Sequence, residues 1–304
     1  MTQSQPGKMI VGLDAAGRSN AALQAANAMS EQFSAHLRCV HMIEVPPIED
    51  VGGRPDEMAE MYANIQASAA ERLREAVVRV TGESAFENER VSVEAGVGHA
   101  ARTLVKRAKE IDADWIFLGP HEHRQVFDFG STTRAVLSQA HCGVWVQPGD
   151  WQPIRRILVP VDLSDESMRA LGTARALAQT MGASVTALHC FQDPDFAYVS
   201  SPGYIGPGPL FSVEGACEAA EKSFNKTMDA AGTETDADSQ PERRFVRGRP
   251  MDVILECQGG HDLIVMSSHG RTGLSAALLG NVAHGVLKRS SIPVLALRGA
   301  GSAS

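Results

Sequence analysis

Residues 9–14 and 157–162 of this chain read almost alike, and that self-similarity constrains its fold more than any other feature. Met9-Ile10-Val11-Gly12-Leu13-Asp14 aligns with Ile157-Leu158-Val159-Pro160-Val161-Asp162 at an offset of 148. The same offset pairs Ala22-Leu23 with Ala170-Leu171, His41 with His189, and Asp114–Leu118 with Asp262–Met266. Nearer the end the offset becomes 150, pairing Gly130 with Gly280, Val136-Leu137 with Val286-Leu287, and Val144 with Val294. The first copy is thus two residues shorter, and the shortening falls between Leu118 and Gly130. A chain of 304 residues has room for two domains, each with its own core. The Pro/Gly stretch Gln147–Pro153 divides it into 1–149 and 150–304.

Each copy alternates short apolar runs with longer stretches of helical period. Ile157–Val161, Val185–His189, Leu263–Met266 and Pro293–Leu297 are too uniformly apolar for one-faced strands and read as buried ones. Between them, Met168, Leu171, Ala174, Leu177, Ala178 and Met181 fall on one helical face. Ser164 and Asp165 are cap candidates before that helix, and Gly182 stops it. The first copy supplies the equivalent helix, Asn20–Phe33, and a long one from about Asp56 to Val80. Strand–helix alternation of this kind predicts an α/β fold: two tandem open, parallel, Rossmann-like sheets with helices on both faces.

Composition narrows the function. The net charge is -8 without a polybasic block, so a nucleic-acid surface is not expected. No apolar run approaches a membrane span and no secretory pattern opens the chain, so no membrane partner and a cytoplasmic location are expected. Cys39, Cys142, Cys190, Cys217 and Cys257 form no CxxC pair and read mostly as buried free thiols. One stretch breaks the repeat. Residues 193–211 carry Pro194, Pro202 and Pro207 with Phe196, Tyr198, Tyr204 and Phe211, at the carboxyl end of the second sheet, where ligands bind in open parallel sheets. Two readings stay open: a flap over a site, or a loop whose aromatics pack locally.

The chemistry concentrates in Met266-Ser267-Ser268-His269-Gly270-Arg271-Thr272-Gly273, continuing to Leu279-Gly280-Asn281-Val282. This string leaves a buried strand, crosses a glycine-bearing loop and enters a helix. Backbone N–H groups at such a junction bind anions, and glycine lets the backbone approach them. Arg271 adds a cation, and Ser267, Ser268 and Asn281 add side-chain donors. Neither a GxxxxGK[ST] loop nor GxGxxG is present.

The string resembles the ATP-binding signature of the universal stress protein family, G-x-x-G, nine residues, G-[ST]. Ser267 stands at the first glycine, Gly270 at the second, Gly280 at the third, and Asn281 at the hydroxyl residue. The spacing is intact and two residue types depart from the pattern. The tail from Val286 to Leu295 also resembles the family's closing helix and strand. The resemblance implies an adenine nucleotide α-hydrolase-like fold binding ATP or another adenine nucleotide, with or without an accompanying magnesium ion. It implies that Asp162, after Pro160 and Val161, hydrogen-bonds adenine, with Cys190 as an apolar wall. His269 lies in the phosphate loop itself. By themselves, Asp162 reads equally as a loop-start carboxylate and His189 as a core histidine. The family also pairs subunits through the last strand of each sheet. A tandem copy would then form a pseudo-dimer within one chain, through Val144–Val146 and Val294–Leu297, and a further homodimer stays open.

The first copy keeps Asp14 but not the loop. Glu122 stands where Gly270 stands, and seven residues rather than nine precede Gly130-Ser131. A carboxylate there repels phosphate. His121, His123, Glu122 and Asp128 make a weak metal pattern. The first copy therefore reads as a frame kept for structure. The expected function is a nucleotide-dependent regulatory or signalling module. A slow ATPase or phosphotransferase in the same pocket and a nucleotide-free scaffold are the alternatives.

Overall fold

The computed structural model describes residues 6–14, 17–44, 55–119, 130–193, 212–232, 240–268 and 279–298. The first copy runs β1 (Lys8–Leu13), α1 (Asn20–Phe33), β2 (His36–Ile43), α2 (Pro55–Thr81), the one-turn α3 (Ser84–Glu87), β3 (Val91–Val97), α4 (Ala100–Ile111), β4 (Trp115–Leu118), α5 (Ser131–Gln139) and β5 (Gly143–Val146). The second runs β6 (Arg156–Pro160), α6 (Asp165–Met181), β7 (Ser184–Phe191), α7 (Val213–Gly232), β8 (Glu242–Arg247), α8 (Pro250–Cys257), β9 (Leu263–Ser267), α9 (Asn281–Arg289) and β10 (Val294–Leu297). The elements fall where the repeat and its periodicity place them, because their signals are local. In α1, Ala22, Leu23, Ala26, Met29 and Phe33 form the buried stripe, and Ser34 ends the helix in the left-handed region. In α6 the Ser164 hydroxyl accepts from the Ser167 N–H at 3.3 Å, and Asp165 and Glu166 complement the positive end of the helix dipole. Gly182, at φ +65°, closes it.

One ten-stranded sheet runs through the molecule in the order β3-β2-β1-β4-β5-β10-β9-β6-β7-β8. Every neighbouring pair is parallel except β5 and β10, which are antiparallel, with Val146 opposite Val294, Trp145 opposite Leu295 and Val144 opposite Ala296. The expected pairing through the last strands is therefore present, and its cause is plain: each sheet alone would leave an apolar edge strand unpaired. Trp145 is fully buried in the seam, stacked on Phe117 at 5.3 Å between ring centroids. Its indole N–H donates to Gln147 Oε1 at 3.0 Å, and the Gln147 amide donates to the carbonyls of Gly149 and Asp150, which ties the linker to the seam. Gln32 donates to the carbonyl of Thr180, its own counterpart 148 positions on, and Arg298 donates to the Leu137 and Ser138 carbonyls at the end of α5.

Alternate strand residues face opposite layers. Met9, Val11, Phe117, Ile157, Val159 and Val265 join the core shared with α1, α2, α6 and α7. Ile10, Ile116, Leu158, Ile264 and Met266 join the core shared with α4, α5, α8 and α9. Asp114 and Asp262 repeat one structural device. The Asp114 carboxylate accepts from the N–H groups of Gly7 and Lys8 at 2.8 and 3.0 Å, and Asp262 accepts from Arg155 and Arg156 at 3.0 and 2.9 Å. Burial raises the Asp262 carboxyl, but the Arg155 N–H and the Arg156 guanidinium outweigh it and hold the group below its ordinary range. Among the described residues no helix is long and apolar enough to cross a membrane.

Candidate functional site

At the carboxyl ends of β6, β7 and β9 the second copy opens into a cavity of about 560 Å³. That volume lies within the range of small-molecule sites. The expected site residues converge on it. Pro160, Val161 and Asp162 come from the end of β6, Cys190 from β7, Met266 and Ser267 from β9, and Gly280, Asn281 and Val282 from the start of α9. His269, Gly270 and Arg271 lie outside the described residues, as do Phe196, Tyr198, Tyr204 and Phe211 of the aromatic stretch. The neck of the 269–278 loop is tied, because the Gly280 N–H donates to the Ser268 carbonyl at 2.9 Å. Ser268 in turn donates its own N–H to the Leu297 carbonyl at 2.7 Å, which fixes the neck to β10.

The cavity brings two chemically different features together. Gly280 caps α9 in extended conformation, and among the described residues no side chain caps the helix, whose first-turn N–H groups suit an anion. At the end of β6 Asp162 Oδ1 accepts from both the N–H and the hydroxyl of Ser164. That turn holds the carboxylate at the sheet end rather than as the cap of α6, whose N-cap is Ser164. Val161, Leu188, Cys190, Ile254 and Met266 supply apolar wall beside the polar Ser167 and Gln192. Burial pushes the Cys190 thiol up to about 12, so it stays protonated and inert at neutral pH. His189 is a core residue, 8 % exposed, with its ring on Phe224 and Nδ1 bonded to the Val161 carbonyl at 2.7 Å.

Sequence reasoning missed Ser167, Leu188, Gln192, Pro250, Ile254 and Ala283, which also line the cavity. For Pro250 a signal existed. Gly248, at φ +157°, lets the chain turn off β8, and Pro250 starts α8 at its first position. The counterpart Gly98, at φ +137°, stands 150 positions earlier, so this turn belongs to the repeat as well.

The equivalent cleft of the first copy is smaller, about 380 Å³, and its carboxylate is already engaged. Asp14 accepts from the Ser19 N–H and hydroxyl, both at 2.9 Å, and from Arg18 Nε at 2.8 Å. Burial raises the Asp14 carboxyl, but Arg18 and Ser19 outweigh it and hold the group below its ordinary value. In the second copy Glu166 occupies the position of Arg18 and pairs instead with Arg169 at 3.0 Å. Sequence reasoning placed the damage to the first site in the loop around Glu122, which lies outside the described residues together with His121, His123 and Asp128. The Arg18–Asp14 pair is a second difference, at the opposite end of the cleft.

Comparison with known proteins bears on the family and the fold. The Universal stress protein family matches residues 6–148 and again 153–298. A universal stress protein of Mycolicibacterium smegmatis is 26% identical over 298 residues, covering 95% of this chain and 96% of that protein. A single-copy relative from Thermus aquaticus is 31% identical over 148 residues, covering 47% of this chain and 98% of its own length. The crystal structure of a universal stress protein from Archaeoglobus fulgidus superposes with a TM-score of 0.64 at 18% identity, covering 97% of this chain and 99% of that one, which shows the shared fold.

Proposed function

This chain belongs to the universal stress protein family, and from that premise we propose that its second domain, residues 150–304, binds an adenine nucleotide and that the protein acts as a nucleotide-dependent regulatory module. The first domain, 1–149, is the structural partner that closes the sheet. One observation carries the reading: residues named from three separate stretches of sequence, Pro160–Asp162, Cys190 and Met266–Val282, line a single cavity wherever they are described. Asp162 would receive the exocyclic amine of adenine, with Val161 and Cys190 against the ring. Ser267 and the N-terminus of α9 would face the phosphates, joined by His269, Gly270 and Arg271 from the loop. The cavity suits such a ligand in volume and in offering a carboxylate, apolar walls and a helix N-terminus.

Binding is favoured over turnover by the lining residues. Among the described ones Asp162 is the single carboxylate, and it sits at the base end. Phosphoryl transfer calls for a carboxylate that holds a metal at the phosphates and a group that positions the nucleophile. Calorimetric titration with a non-hydrolysable ATP analogue should give about one site per chain, and Gly270→Asp should abolish it. Two equal sites, or an unaffected Gly270→Asp variant, would overturn the assignment. ADP released from ATP by the purified chain, lost in the same variant, would favour a slow ATPase.

A further inference from the structure

The face of the sheet that carries α1 and α2 holds another cavity, of about 1010 Å³, in the first copy. His41 and Ile43 of β2 form its floor, and Ile65, Ala69 and Leu73 of α2 form its roof. Val40 lines only the nucleotide-type cleft of the same copy, while Asp14, His41, Met42 and Glu44 line both, so the two spaces adjoin at the carboxyl end of β2. Met61, at the lip, is 41% exposed and the one large apolar side chain so exposed among the described residues.

The second copy explains why the space exists. There the His189 ring stacks on Phe224, at 5.4 Å and 15° interplanar angle, and also meets Phe245, at 5.7 Å, while Phe191 stacks on Phe245 at 6.5 Å. Strand register identifies the counterparts. His41 pairs with Ala95 as His189 pairs with Phe245, so alanine stands in the place of that phenylalanine. Ile43, 148 positions before Phe191, replaces the second ring. Leu73 replaces the third: Leu73 and Phe224 each lie eight residues before the end of their helix, and each is followed four residues later by a buried apolar residue, Val77 or Met228. Three rings in one copy are thus alanine, isoleucine and leucine in the other. The smaller side chains leave a space between β2 and α2 that is half open to solvent.

The histidine is held identically in both copies. His41 Nδ1 bonds to the Leu13 carbonyl at 2.8 Å, as His189 bonds to Val161. A carbonyl only accepts, so Nδ1 carries the proton and Nε2 of the neutral ring is an acceptor. A fixed imidazole that stacks on phenylalanine in one copy faces open volume in the other. Glu44 and Glu60 at the rim outnumber Arg72, which disfavours polyanions.

We propose that this cavity binds a planar aromatic small molecule of two or three fused rings, neutral or cationic, whose rings take the places of Phe224 and Phe191 beside His41, where Leu73 and Ile43 line the space. The site is separate from the nucleotide cleft of the second copy and does not depend on that assignment. The test is a fluorescence titration of the full chain with 2-naphthol. Saturable binding of about one probe per chain is expected, undisturbed by saturating ATP. Leu73→Phe and, independently, Ile43→Phe should weaken it at least ten-fold, since each residue lines the cavity and each change restores a ring of the second copy. On the wild type, bound probe should shift the ring resonances of His41 and leave those of His189 in place, a readout that survives misfolding of either variant. Absence of saturable binding, displacement by ATP, or a shift of His189 instead of His41 would overturn the proposal.

Discussion

Replacing Asp162 by alanine separates the two jobs its carboxylate is given. The sheet is continuous across both copies, so the chain should melt as one cooperative unit of about 300 residues. At roughly 2.1 cal/mol/K per residue, its unfolding entropy is about 0.6 kcal/mol/K. Nucleotide at about a hundred times its dissociation constant stabilises the wild type by about 2.7 kcal/mol, a rise of about 4 °C. A hydrogen bond to a charged group contributes about 1.5–3 kcal/mol, so losing it weakens binding by roughly one to two orders of magnitude. At the same nucleotide concentration a hundred-fold weaker variant keeps about 0.4 kcal/mol, and its melting point moves by less than about 1 °C. The ligand-free variant should itself melt about 2–3 °C lower, because Oδ1 no longer accepts from the Ser164 N–H and hydroxyl. Differential scanning calorimetry with and without ATP reads both numbers. Asp14→Ala is the control, since that carboxylate is engaged by Arg18 and Ser19. A variant at Asp162 that keeps the full ATP-dependent shift, or an Asp14 variant that loses it, would refute the reasoning.

Trp145→Ala should cost about 3–5 kcal/mol, because a fully buried indole at the seam leaves a cavity between the two sheets. Urea denaturation followed by circular dichroism measures it, and a loss below about 1 kcal/mol would mean that the seam contributes little. Asp14 supplies a pH test. Its folded carboxyl lies below the ordinary 3.8, so its stabilisation is present above that value and fades as pH falls through the folded pKa. The wild type should therefore exceed Asp14→Asn in stability at pH 7 by more than it does at about pH 3, below the ordinary value, where the loss has begun. An equal difference at both pH values would show that the effect is steric rather than ionic.

How much was legible beforehand follows from the range over which each signal acts. The repeat, the strand–helix alternation, the bounds of α1 and the Ser164 and Gly182 caps are written in windows of a few to a few tens of residues. Periodicity and turn chemistry act over those distances. The apolar last strands also announced their pairing, because an unpaired edge of that composition is costly. The sequence likewise named Asp162, Cys190 and the 266–282 stretch as one candidate site, through the resemblance and the intact spacing. Tertiary structure alone decided which side chains fill the space between elements far apart in sequence. Pro250, Ile254 and Leu188 became walls of the candidate cleft only when β7 was paired with β6 and α8 was packed against β7 and α9. The occupation of Asp14 by Arg18 was invisible because an arginine four residues from an aspartate reads as an ordinary exposed pair until the cleft around it is known. The volume under α2 was equally hidden. Leu73, Ala95 and Ile43 each look like plain core residues, and strand register for Ala95 and helix position for Leu73 were needed to show that they stand where the other copy carries rings.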